Sequence, residues 1–191
     1  MQSATEQATR TLPARTFWWD RARPADAEVT PLLAVIFDLD ALGAEGEARD
    51  GLADLVLSLF AAGVWLGVVS PGRRECVGPL VRELIGDGLA QTIVSADDLS
   101  GPGDDAELYR LALWELGIAP ESALAINGSG RGCRAATAAG LPVVVIADDT
   151  ADPQFAMAVT TRSDYDGLLV EGCRQLWTRW RAGRLNCGAA A

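Results

Sequence analysis

From residue 31 onward the chain alternates short apolar runs with amphipathic stretches. Leu33 to Phe37 is a continuous apolar run, as a strand buried on both faces carries. Leu52 to Phe60 repeats with helical period, and Ala61-Ala62-Gly63 ends it. Val64 to Val69 reads as a second strand, Arg73 to Ile85 as a second helix, and Thr92 to Val94 as a short third strand. Asp105 to Leu116 is a helix closed by Gly117 as its C-cap residue. Ala123 to Ile126 is a fourth strand, Arg131 to Ala139 a helix closed by Gly140, and Val143 to Ile146 a fifth strand. Such alternation predicts an α/β fold: a three-layer, Rossmann-like, five-stranded parallel sheet with helices on both faces. Gly167 to Arg181 adds a terminal amphipathic helix, with Leu168, Leu169, Cys173, Leu176 and Trp180 near one face.

Residues 1–16 are polar, and Phe17-Trp18-Trp19 breaks that pattern before a polar linker, Asp20 to Thr30. The expected organisation is a tail with an aromatic anchor (1–30), a core domain (31–150) and a C-terminal extension with one amphipathic helix (151–191). The aromatic cluster either pins the tail to the body or serves a protein partner or a second subunit, since tryptophan is enriched at interfaces.

Composition narrows the chemistry. With 191 residues, 49% of them apolar, the chain can bury one real core but not two. It has neither histidine nor lysine, which removes histidine bases and metal sites, Ser-His-Asp triads, Schiff bases and a P-loop lysine. The net charge of −10 argues against partners such as nucleic acid or an anionic membrane. The four cysteines form no C-x-x-C pair, no segment has the ~18 apolar residues of a membrane span, and Met1 to Arg15 lacks a signal-peptide core. A cytoplasmic protein with reduced thiols is the expectation.

In an open parallel sheet, ligands bind beyond the carboxyl ends of the strands. Those positions read Asp38-Leu39-Asp40, then Ser70-Pro71-Gly72-Arg73-Arg74, Ser95-Ala96-Asp97-Asp98, Asn127-Gly128-Ser129-Gly130-Arg131-Gly132, and Asp148-Asp149. Residues i and i+2 of a strand point the same way, so Asp38 and Asp40 can face one pocket. Two carboxylates so placed can divide labour as nucleophile and general acid/base.

From about Leu33 to Ile146 the chain resembles the haloacid-dehalogenase-like superfamily, particularly its β-phosphoglucomutase-like phosphatases. Phe37-Asp38-Leu39-Asp40-Ala41-Leu42 occupies the first motif, D-x-D-G-T/S-L. Val68-Val69-Ser70 fits the second. Leu108 to Gly117 resembles the helix after the third motif, and Ser129 to Gly140 the helix after the fourth. The resemblance implies that Asp38 attacks a phosphoryl group, Asp40 protonates the leaving group, and Ser70 hydrogen-bonds the phosphoryl oxygens. Ser129, Arg131 and Arg73 are the further substrate contacts. It also implies Mg²⁺, held weakly by Asp38, the Asp40 carbonyl and Asn127.

The departures fall on charge. The third-motif lysine aligns with Gly101 or Gly103, and the acidic pair of the fourth motif with Asn127 and Gly128. Removing one preorganised stabilising donor can cost ~10²–10³ in rate. Arg131, Arg73 and Arg74 are candidate stand-ins for the lysine, or else solvated surface arginines. Asp97, Asp98, Asp104, Asp105, Asp148 and Asp149 could lend a carboxylate to a displaced metal, or are solvated loop acids. Only Gly43 to Asp50 occupies the place of the family's helical cap, which implies an open cleft or a partner-supplied lid. Two functions follow. One is a phosphohydrolase of weakened or altered activity on a phosphorylated small molecule or phosphoprotein, in which Gly128→Asp should raise Mg²⁺ affinity. The other is a catalytically silent relative acting as a protein-binding, structural or regulatory subunit, such as a homo-oligomer formed through Phe17, Trp18 and Trp19.

Overall fold

Alternation along the first strand decides the layering. In the computed structural model, which describes residues 31–44, 46–101 and 104–188, strand β1 (Ala34–Asp38) is buried along its whole length. Ala34 and Ile36 enter one hydrophobic core, while Val35 and Phe37 enter another. A strand with two apolar faces requires helices on both sides of its sheet. The 1–30 tail, with Phe17, Trp18 and Trp19, lies outside the described residues.

One layer holds α2 (Leu52–Ala61), α3 (Arg74–Ile85) and α6 (Val170–Gly188); the other holds α4 (Asp105–Leu116) and α5 (Gly130–Ala138). Between them lie β1, β4 (Trp65–Ser70), β5 (Thr92–Ser95), β6 (Ala123–Asn127), β7 (Val143–Ile146) and β8 (Thr160–Arg162), in the order β5-β4-β1-β6-β7-β8. All five pairings in this sheet are parallel. The sheet thus has six strands, not the five expected: Thr160–Arg162 is short, half-buried and lacks an apolar run, so periodicity does not mark it. The chain runs from β1 outward to β5, then crosses back to β6 on the other side of β1. The crevice between the ends of β1 and β6 is therefore the switch point where ligands bind in such sheets.

The connection after β1 is compact. Helix α1 (Leu39–Leu42) is one turn long, and a two-stranded antiparallel hairpin, β2 (Gly43–Ala44) with β3 (Glu47–Ala48), replaces any larger insertion. Tyr165, fully buried, braces α1 by donating its hydroxyl to the Ala41 carbonyl at 2.8 Å. Gly117 takes the left-handed conformation (φ 66°) at the end of α4, as its C-cap role requires. On the terminal helix, Cys173 and Trp177 face the core, whereas Leu169 is exposed. The core-facing tryptophan is Trp177, one turn after Cys173, rather than Trp180; its indole N–H donates to the Glu121 carbonyl at 2.9 Å. Among the described residues no helix is long and apolar enough to cross a membrane.

Candidate active site

Asp38 ends β1 and caps α1. Its Oδ1 accepts the Ala41 N–H at 2.7 Å, the usual work of an N-cap aspartate, and the Gly128 N–H at 2.9 Å from the end of β6. These two bonds pin the carboxyl between neighbouring strands. Its Oδ2 is buried, and no described residue hydrogen-bonds it. Burial pushes the carboxyl up from the ordinary 3.8 to about 7. The Gly128 and Ala41 N–H groups and the Arg49 guanidinium pull it down, while the charge of Asp40 adds to the rise.

Asp40 is exposed and stands on α1, not on the strand. The two carboxylates do line one cleft, but a helical turn brings them together rather than strand alternation. That cleft also takes in Tyr109, Ser129, Arg131 and Gly132. Its volume is about 90 Å³, far below the ~300–1,000 Å³ of pockets that enclose whole ligands, so it suits one small group.

Asn127 is fully buried behind the cleft. Its Nδ2 donates to the Tyr109 hydroxyl at 2.6 Å, and its Oδ1 has no partner among the described residues. Gly132 joins the two sites. A Cβ there would lie 2.2 Å from Asp38 Oδ2 and 2.6 Å from Asn127 Nδ2, so glycine alone leaves this space open. Gly128 is as constrained: a Cβ would lie 2.4 Å from the Asp40 carbonyl carbon and 2.7 Å from the Ala41 nitrogen. An aspartate at 128 therefore collides with backbone, which opposes the expectation that Gly128→Asp adds a metal ligand.

The other residues singled out in the sequence have these positions. Ser129 caps α5, its Oγ accepting the Gly132 N–H at 3.2 Å, and lines the cleft. Ser70 is buried at the end of β4, with its Oγ accepting the Gly72 N–H at 3.1 Å; its neighbours Val69 and Pro71 line the cleft and Ser70 does not. Arg131 lines the cleft but is clamped by both Asp105 oxygens, one at 2.6 Å. Arg73 pairs with Glu75 at 3.1 Å on the exposed surface, away from the cleft. Arg74 is held by Asp98 at 2.8 Å and the Ile93 carbonyl at 2.7 Å. Asp97 accepts the Arg74 N–H, Asp104 caps α4, and Asp149 accepts the Ala151 N–H. No three His, Cys, Asp or Glu side chains converge on a metal position among the described residues.

Sequence reasoning missed Arg49. It follows the hairpin, lines a second opening with Asp40 and Gly128, and donates to Asp148 at 2.9 Å. Its Nε is buried without an acceptor among the described residues. No motif marks this arginine, because only the fold-back of the hairpin brings it to the site.

A family model described as haloacid dehalogenase-like hydrolase matches residues 41–146. The chain is 37% identical over 115 residues to protein CbbY of Cereibacter sphaeroides, covering 55% of this chain and 48% of that protein. It is 32% identical over 113 residues to a CBBY-like protein of Arabidopsis thaliana, covering 58% and 35%. The crystal structures of CbbY from Rhodobacter sphaeroides with phosphate and, as a mutant, with xylulose-(1,5)bisphosphate each superpose with a TM-score of 0.59 at 30% identity, over 66% of this chain and 58% of theirs. The chain thus spans half or less of the length of these curated relatives.

Proposed function

Because the chain belongs to the haloacid dehalogenase-like hydrolase family, we propose that it is a phosphohydrolase acting on a phosphorylated small molecule through an aspartyl-phosphate, with weakened stabilisation of charge. The observation that carries this reading is Asp38: one carboxylate oxygen is fixed by two backbone N–H groups, and the other is left without a partner at a cleft sized for one group. Fixing one oxygen orients the other, which is what a nucleophile requires.

In the first step Asp38 Oδ2 forms a bond to phosphorus as the bond to the leaving oxygen breaks, and Asp40 gives that oxygen its proton. In the second, water attacks the phosphorus, Asp40 takes the proton of that water, and the Asp38 carboxylate is released. Ser129 and Arg131 line the space beside the phosphoryl oxygens. Asp105 already neutralises much of the Arg131 charge, so this cation contributes less than a free one. Mg²⁺ fits the site at the lower limit of its needs. Asp38 Oδ2 and Asn127 Oδ1 are buried oxygens lacking partners, and Mg²⁺ is commonly held by one or two carboxylates together with substrate phosphate. It would be held by the Asp38 carboxylate, Asn127 Oδ1 and the Asp40 carbonyl, and would supply neutralisation of charge developing on the phosphoryl oxygens. One carboxylate and one neutral amide make binding weak until phosphate arrives.

The test is turnover of a phosphate-ester panel with Mg²⁺ by the full chain and by Asp38→Asn. Activity should fall to background in the variant, at least ~10²–10³-fold. Equal rates in the two proteins would sink the reading and favour the alternative of a silent binding subunit, for which the neutral Asn127 is the supporting observation.

A further inference from the structure

The terminal helix reverses the charge of the chain. Residues 172–188 contain four of its 16 basic residues, all arginine, and none of its 26 acids. Two of the four are engaged within α6: Arg174 pairs with Glu171 at 3.6 Å, and the Arg181 guanidinium lies 4.9 Å over the Trp177 ring. Arg179 and Arg184 have no carboxylate partner among the described residues; Arg184 instead lies 5.0 Å over the Trp180 ring.

These two arginines flank an open groove between the end of α6 and the loop that leads into β8. Its volume is about 640 Å³, with Met157 to Val159 as one wall and Arg179, Trp180, Gly183 and Arg184 as the other. With ~3.6 residues per turn, Gly183 and Trp180 fall between Arg179 and Arg184 around the helix. The helix wall is therefore an apolar centre with a cation on each rim. Trp180 is only half-buried, because Trp177 already fills the core, and Met157 is 65% exposed on the facing wall. Gly183 lies inside the helix, where glycine is destabilising relative to alanine, yet a Cβ there would meet nothing within 4 Å. Packing within the chain does not require that glycine, whereas close approach of another backbone does.

We propose that this groove docks an extended acidic segment of a partner protein, of the pattern acid-x-apolar-x-acid. Alternate side chains of an extended segment share a face, so the two acids and the apolar residue point together. From one acid to the other such a segment spans ~13 Å, close to the ~10–12 Å breadth of a helix with its side chains. The acids meet Arg179 and Arg184, and the apolar side chain lies on Trp180 and Met157 between them. Tryptophan, methionine and arginine are enriched at interfaces of this kind. Nucleic acid fits less well, because a long polyanion runs on past the groove over an acidic chain. Two copies paired through this face would set arginine against arginine. The inference does not depend on the phosphohydrolase reading.

The test is a titration of the isotope-labelled full chain, followed at the Trp180 indole N–H resonance, which Trp180→Phe identifies. The probe is the capped peptide Ala-Glu-Ser-Leu-Ser-Glu-Ala; one control carries glutamine for both glutamates, the other serine for leucine. The probe should shift that resonance saturably, and each control should bind about tenfold more weakly. Arg179→Gln and Arg184→Gln should each weaken the probe about threefold and leave the glutamine control unchanged. Gly183→Leu puts a side chain into the open groove and should abolish binding with thermal stability unchanged or higher, which separates loss of the site from loss of the fold. No saturable shift, a probe no tighter than its glutamine control, or equal binding by Gly183→Leu overturns the proposal. So does tighter binding of a short single-stranded RNA at the same resonance, or self-association of the chain that Gly183→Leu abolishes and the probe leaves undisturbed.

Discussion

The ends of β1 and β6 are neighbours in the sheet, and they treat charge in opposite ways. At β1, Asp38 keeps a carboxylate where burial opposes ionisation, with one oxygen tied down and one left open. At β6, Asn127 is neutral and turned to Tyr109, while Gly128 packs so closely on Asp40 that no side chain fits. The first end spends stability to hold a buried carboxyl, and the second contributes geometry without charge. Positioning and electrostatic stabilisation are thus separable in this fold. The backbone framework around Asp38 persists, while the cation that opposes the rise of its pKa is Arg49, which follows the hairpin.

The largest effect should come from removing the unfavourable charge itself. Asp38 has a folded-state pKa of about 7 against 3.8 for the ordinary carboxyl, so the folded chain holds a proton that the unfolded chain releases between those values. Stability from this group is fully present below about pH 4 and is lost as pH rises to about 7. Asp38→Asn should therefore raise stability by up to about 4 kcal/mol near pH 8, with no gain near pH 4. Urea unfolding of the two proteins at both pH values measures it. A gain independent of pH would mean that packing, not charge, is responsible.

A smaller effect, of about 10²-fold on turnover, is expected from Gly132→Ala. The added methyl occupies the point 2.2 Å from Asp38 Oδ2 and 2.6 Å from Asn127 Nδ2, displacing the Asp38 carboxyl from the cleft. Since the clash is with two side chains rather than backbone, the fold should survive, with kcat falling more than thermal stability. Full activity in this variant would break the assignment of Oδ2 as the attacking atom.

What was legible in the sequence follows the same division. Apolar runs such as Leu33 to Phe37 reveal strands because burial on both faces leaves no polar positions. The place of Asp38 and Asn127 after those runs then follows from topology. Contacts across the chain were not legible. Arg131 meets Asp105, 26 residues away, and Arg74 meets Asp98, 24 away, so two of the three candidate stand-ins for a lysine are already paired at long range. Gly128 reads as a vacated acid position, but its conflict with the Asp40 backbone depends on two loops that meet only after folding. β8 and the hairpin strands escaped notice because two or three half-buried or exposed residues carry no period.

The smallest effect, about tenfold, belongs to Asn127→Asp, and it tests the β6 side directly. The change preserves shape, and Tyr109, whose hydroxyl is 2.6 Å away, can turn its proton toward a carboxylate there. A second acid beside Asp38 raises the cost of ionising either one without a metal, by like-charge repulsion in a buried site. Mg²⁺ relieves that repulsion and gains a charged ligand. The variant should bind Mg²⁺ about tenfold tighter, and its thermal stability should rise with Mg²⁺ by more than that of the parent chain. Gly128→Asp, with backbone in the way, should lose stability and gain no affinity. If the two substitutions behaved alike, the contrast between a neutral position with room and a neutral position without it would fail.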